Sequence, residues 1–101
     1  MKPVDFQILL VLVGGPCHGY GLMKEVERES NGGIRLEIGS LYRVLARLLD
    51  DGLIEETEAD ERRRFYRISR AGRRALRAEA FRLEGLVELA RSRKVLTGSD
   101  S

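Results

Sequence analysis

Several scarcities narrow the field before any motif is read. Cys17 is the single cysteine among 101 residues. It cannot close an internal disulfide, which points to a reducing compartment and away from small secreted scaffolds. It reads as a packing residue, and as a thiol sensor only if exposed. His18 is the single histidine, and two neighbouring residues with no other ligand cluster do not make a four-ligand zinc site. A Ser-His-acid set would need His18 as its base, in a tight helix-entry turn, so we expect a structural role in which it donates to a backbone carbonyl. Tryptophan is absent and aromatics make up only 6%, which leaves no support for an aromatic-lined drug pocket. Beyond Phe65 and Tyr66 there is no stacking platform for RNA bases. The apolar run Ile8 to Val13 is too short to span a bilayer and lacks a signal-peptide cleavage pattern, so the cytoplasm is the default expectation and no membrane partner is expected. Gly14-Gly15 and Gly32-Gly33 are turn glycines outside any phosphate-loop context. Enzyme is therefore the least expected class, with no catalytic residues, metal or cofactor assigned.

Charge is present but segregated. The net charge is only +2. Yet seven acids and no base lie between Asp50 and Glu61, followed by eight arginines and no acid from Arg62 to Ala78. Such a distribution makes a strong local field, and local field steers a polyanion. All but three of the eighteen basic residues are arginine, whose planar fork suits bidentate contact with phosphate or guanine. The plainer reading is a salt-bridged, solvated hairpin in which the acids answer the arginines across the strands.

The pattern of apolar residues supplies an architecture. Phe6, Leu9, Leu10 and Val13 recur at helical spacing and predict a first helix from Pro3 to about Val13, with Pro3 at an early position and Gly14-Gly15-Pro16 ending it. A second helix is expected from about Tyr20 to Ser30, burying Leu22, Met23 and Val26 and stopped by Asn31-Gly32-Gly33. Ile34-Arg35-Leu36 reads as a minor third strand. A third helix from about Ile38 to Asp51, capped by Gly52, buries Leu41, Val44, Leu45, Leu48 and Leu49. Its opposite face carries Ser40, Arg43, Ala46, Arg47 and Asp50, with Tyr42 on the flank. Two strand-like runs follow, Leu53 to Thr57 and Arg64 to Ser69, around the acidic tip Ala59-Asp60-Glu61. Ser69 then caps a fourth helix running to about Val95. The expected fold is mainly α with a small β-wing, a winged helix-turn-helix plus a long C-terminal helix. In that fold a helix enters a DNA groove while a hairpin reaches the flanking backbone. On the fourth helix Leu76, Ala80, Leu83, Val87 and Ala90 are spaced 4, 3, 4, 3, a two-per-heptad seam. With Phe81, Leu86 and Leu89 they exceed what one small domain covers, so a second copy is expected against them. We divide the chain into a DNA-binding domain (1–69), a dimerisation helix (70–96) and a disordered tail (97–101).

Five short motifs in order strengthen this reading. They are His18-Gly19-Tyr20-Gly21, Gly39-Ser40-Leu41-Tyr42, Asp51-Gly52-Leu53-Ile54, Arg63-Arg64-Phe65-Tyr66-Arg67-Ile68 and Ala71-Gly72-Arg73-Arg74-Ala75-Leu76. Together they resemble the PadR family of bacterial winged-helix transcriptional regulators, over roughly Ile8 to Leu96. The resemblance implies a homodimer joined mainly through the last helix, usually a repressor at a palindromic operator, and here the short type with a single C-terminal helix. Carried over by position, it places Ser40, Tyr42, Arg43 and Arg47 near DNA, Arg62, Arg63 and Arg64 near phosphate, and Tyr20 close to the backbone. The sequence departs from the common pattern at Glu37 and Ile38, where a Ser-Pro pair often caps the reading helix. The expected function is a sequence-specific DNA-binding regulator whose partners are duplex DNA and a second copy of itself. A small-molecule effector, the operator and the regulated genes stay unassigned. The alternative is a winged-helix module that binds protein and reads no DNA, since fold alone does not decide.

Overall fold

Pro3 lacks a backbone donor, which suits a helix start. In the computed structural model, which describes residues 1–58 and 62–96, it opens helix α1 (Pro3–Val13). A two-residue strand β1 (Cys17–His18) leads into α2 (Gly19–Glu29), and an irregular connection leads to α3 (Ile38–Asp50). The hairpin β2 (Ile54–Glu58) and β3 (Arg64–Ile68) follows, then α4 (Arg70–Ser92). The sheet is antiparallel in the order β1-β3-β2. Its register sets Ile54 opposite Ile68 and Glu55 opposite Arg67, with Cys17 opposite Tyr66 and His18 opposite Phe65. This is the winged-helix arrangement. The tip 59–61 and the expected disordered tail 97–101 lie outside the described residues.

The core is a single apolar cluster. Ile8, Leu9 and Leu12 of α1 meet Leu22 and Val26 of α2 and Leu41, Leu45 and Leu48 of α3, closed below by Ile54, Tyr66, Ile68 and Leu76. One expected stripe is corrected. On α1 the buried face is Asp5, Ile8, Leu9 and Leu12, while Leu10 and Val13 are 45% and 43% exposed. This helix is apolar almost all round, so periodicity alone could not choose which face turns inward.

The third strand is also not where the pattern suggested. Residues 34–36 form no strand, and β1 takes the free edge of β3 instead. β1 pairs with Phe65 and Tyr66 on that edge, and β2 takes the other edge along its length. Ile34 and Leu36 pack on the core from a loop, and the Ile34 N–H donates to Ser30 Oγ at 2.9 Å.

Where the wing joins the helices, the chain is tied twice. Ser69 Oγ accepts from Gly72 N–H at 2.9 Å, as expected of the α4 cap, and donates to the Gly52 carbonyl at 2.6 Å. The Ser69 N–H donates to the Leu53 carbonyl at 3.0 Å. Both ends of the hairpin are thereby fixed to the end of α3 and the start of α4. The approach is so close that a Cβ on Gly72 would lie 2.0 Å from the Leu53 carbonyl oxygen, so only glycine fits.

Candidate nucleic-acid interface

The outward face of α3 is polar in its first two turns. Arg43 is exposed and its guanidinium donates to Ser40 Oγ at 3.0 Å, holding both side chains on the same flank. Tyr42 is exposed on the other flank, with its hydroxyl over Gly19, where a Cβ would come within 2.8 Å of it. Glu37 precedes the helix and makes no side-chain cap, in line with its departure from the expected capping pair. The first N–H groups of α3, at the positive end of its dipole, therefore take no partner from the Glu37 side chain.

Arg47 behaves differently from Arg43. Its guanidinium forms a bidentate pair with the carboxylate of Asp5 on α1, at 2.7 and 3.0 Å. Sequence spacing placed it beside Arg43 on the reading face; its side chain instead ties α3 to α1. Burial alone would raise the Asp5 carboxyl, but hydrogen bonds from Arg47 and from the Lys2 N–H hold it below its ordinary value. Asp5 was missed in the sequence. Its only signal is a lone acid in a helix whose other polar residue is Gln7.

His18 is the side chain that organises the entry to α2. Its Nδ1 accepts the Gly21 N–H at 3.1 Å, capping the helix. It is thus an acceptor from a backbone N–H, not the expected donor to a carbonyl, because a helix start offers orphan N–H groups. With Nδ1 accepting, the neutral ring carries its proton on Nε2. Arg63, whose Nη1 lies 3.3 Å from Nε2, therefore sits at the ring edge as a neighbour rather than as its hydrogen-bond donor. The ring stands edge-on to Phe65 at 5.3 Å, and Arg63 also lies 6.0 Å over the Phe65 ring. Next to it, burial pushes the Cys17 thiol up and the Glu25 charge adds to this, the opposite of an activated thiolate.

These contacts bring five of the expected residues together. Tyr20, Tyr42, Arg62, Arg63 and Arg64 line one open cleft of about 260 Å³ with His18 and Gly19. Two aromatic hydroxyls, three guanidinium groups and the start of α2 converge there, a composition suited to phosphate oxygens. Ser40 and Arg43, on the same helix as Tyr42, are not among its lining residues. Across the hairpin, acids do answer arginines: Glu55 pairs with Arg67 at 3.0 Å and Glu56 with Arg64 at 3.7 Å. Both are exposed pairs, each worth about 1 kcal/mol or less, which phosphate can displace.

The expected α4 seam divides in two. Leu76 is 7% exposed, buried within the core of its own domain. Leu83 and Ala90 are half-buried, and Ala80 and Val87 are exposed. Phe81, Leu86 and Leu89 are exposed as well, Phe81 at 65%. Across the described residues, no helix is long and apolar enough to cross a membrane.

Residues 8–78 match the model of the transcriptional regulator PadR-like family. The chain belongs to that family. The family is one of transcriptional regulators, and similar solved structures fit that description. A transcriptional regulator from Clostridium thermocellum is 27% identical, with 88% of this chain and 87% of that one covered and a TM-score of 0.76. The Bacillus subtilis PadR solved in complex with operator DNA shares the fold at 19% identity and a TM-score of 0.68, covering 78% of this chain and 47% of that one. A curated relative is an uncharacterised 37.1 kDa protein of a Streptomyces fradiae transposon, 40% identical over 92 residues. The match covers 86% of this chain and 26% of the relative, so this PadR-like unit spans about a quarter of that protein's length.

Proposed function

We propose that the protein is a sequence-specific DNA-binding regulator that works as a homodimer, most simply as a cytoplasmic repressor at an inverted-repeat operator. The observation that carries this reading is the convergence of Tyr20, Tyr42 and Arg62, Arg63 and Arg64 on one cleft, beside a reading helix that presents Ser40 and Arg43. In this reading the cleft grips phosphate and fixes the register, while Arg43 reaches a base edge in the major groove. The apolar surface of α4 beyond Leu76, with Leu83 at its centre and Ala80, Val87 and Ala90 around it, is covered by the same surface of a second copy. A PadR protein of the same fold was solved on operator DNA, which supports the choice of ligand.

Selection from a pool of randomised duplexes tests the proposal. The expected product is an inverted repeat with half-sites about 10 bp apart, or a multiple of that. Recovery of no preferred sequence, with no affinity for duplex DNA, would favour the protein-binding alternative.

A further inference from the structure

Asp5 is the one buried charged side chain among the described residues, 3% exposed. Both of its carboxylate oxygens are engaged. Oδ1 accepts from Arg47 Nη2 at 2.7 Å, and Oδ2 accepts from Arg47 Nη1 at 3.0 Å and from the Lys2 N–H at 3.1 Å. The two partners stand 42 residues apart. Helix α1 packs chiefly on α2, α4 and β3, so this pair is a direct bridge from α1 to the reading helix. A buried ion pair is a poor way to gain stability, because desolvation offsets much of the attraction. Its bidentate geometry, however, fixes orientation as an apolar contact does not. Arg47 lies one turn after Arg43, so a shift of α3 at Arg47 also moves Arg43. If Arg47 swung out to a base, the buried Asp5 carboxylate would lose its cation and keep only the Lys2 N–H, which is unfavourable.

We propose that Asp5 is a positioning residue for the reading helix: acting through Arg47, it fixes α3 against α1, so that Arg47 serves sequence preference without touching DNA. The inference rests on the DNA-binding reading above. Because Asp5 is 3% exposed, it does not itself contact DNA, and Arg47 is its link to α3.

Affinities for a duplex selected by the wild-type protein and for a random duplex are to be compared in Asp5→Asn, Arg47→Ala, Arg47→Lys and the Asp5→Asn/Arg47→Ala double variant. All are measured well below their melting temperatures. Asp5→Asn and Arg47→Ala should each lower the selected-to-random ratio about tenfold, the loss of one good base contact. The double variant should lose no more than either, since both break the same bridge. Arg47→Lys keeps the charge but not the fork, and should lose preference too; it serves if a harsher variant fails to fold. Loss of preference in Arg47→Ala but not in Asp5→Asn would make Arg47 a base reader and overturn the proposal. So would unchanged ratios with lowered melting temperatures, which mark a merely structural pair. If the wild type selects no sequence, the DNA reading fails instead. The bridge is then read in the free protein, where unaltered α3 amide resonances in Asp5→Asn would overturn it.

Discussion

Helices α3 and α4 are both amphipathic, yet their apolar faces meet different fates. On α3, Leu41, Leu45 and Leu48 are fully buried by the protein's own chain. On α4 full burial ends at Leu76, and the helix continues for sixteen more residues to Ser92. At about 1.5 Å per residue it is roughly 34 Å long, in a molecule 53 Å by 26 Å by 21 Å. An apolar pattern therefore says that a face is to be covered, and not by what.

The sharpest break between the two helices should come from Leu83→Glu. In the proposed dimer this sets two like charges near the twofold axis, so the dimer should dissociate and operator affinity collapse, because one half-site no longer helps hold the other. The domain should stay folded, since its core does not use Leu83. Sedimentation checks the mass, and a stable dimer of this variant would mean that α4 packs on its own domain. The counterpart on α3 is Leu45→Ala, which should cost about 2–5 kcal/mol of folding stability by leaving a cavity. A denaturant titration measures it, and Leu86→Ala should cost the isolated domain almost nothing.

Smaller effects refine the picture of α3. Arg43→Ala should lose about 1–3 kcal/mol on the selected duplex and relax preference there; equal losses on random DNA would assign Arg43 to phosphate. Acid should loosen the bridge at the other end of that face. Asp5 titrates below the ordinary carboxylate value of 3.8 in the folded protein, so its stabilisation is present above that pH and is lost as pH falls through and below it. Melting temperature against pH should drop less steeply in that window in Asp5→Asn than in the wild type.

Legibility in the sequence followed the range of the interactions. The helices, the hairpin and the Ser69 cap depend on neighbours within a few residues, and their residue types announced them. The alternation of Arg64 to Ile68 likewise identified β3. By contrast, β1 is two residues long and exists only because the edge of β3 lies beside it. The inward face of α1 was undecidable from a helix apolar all round, and is chosen by contacts with elements that come later in the chain. Arg47 illustrates the same limit: spacing put it on the outward side of α3, while its partner lies 42 residues away. Leu76 fits the α4 heptads as well as Leu83 does, and only the position of the core separates them. The cleft was legible as residue types but not as a shape, because His18, Tyr42 and Arg62, Arg63 and Arg64 meet only once the hairpin folds back over α2.

Charge gives the smallest effect per residue and the most direct test of whether this fold grips DNA. Affinity for a random duplex should be measured across a range of salt concentrations for the wild type and for Arg63→Ala/Arg64→Ala. The wild-type log affinity should fall linearly with log salt, at about 0.9 for each phosphate neutralised, and the double variant should lose about two units of that slope per protomer. A wild-type protein without affinity for duplex DNA, or a slope unchanged by the two substitutions, would contradict a phosphate-gripping wing.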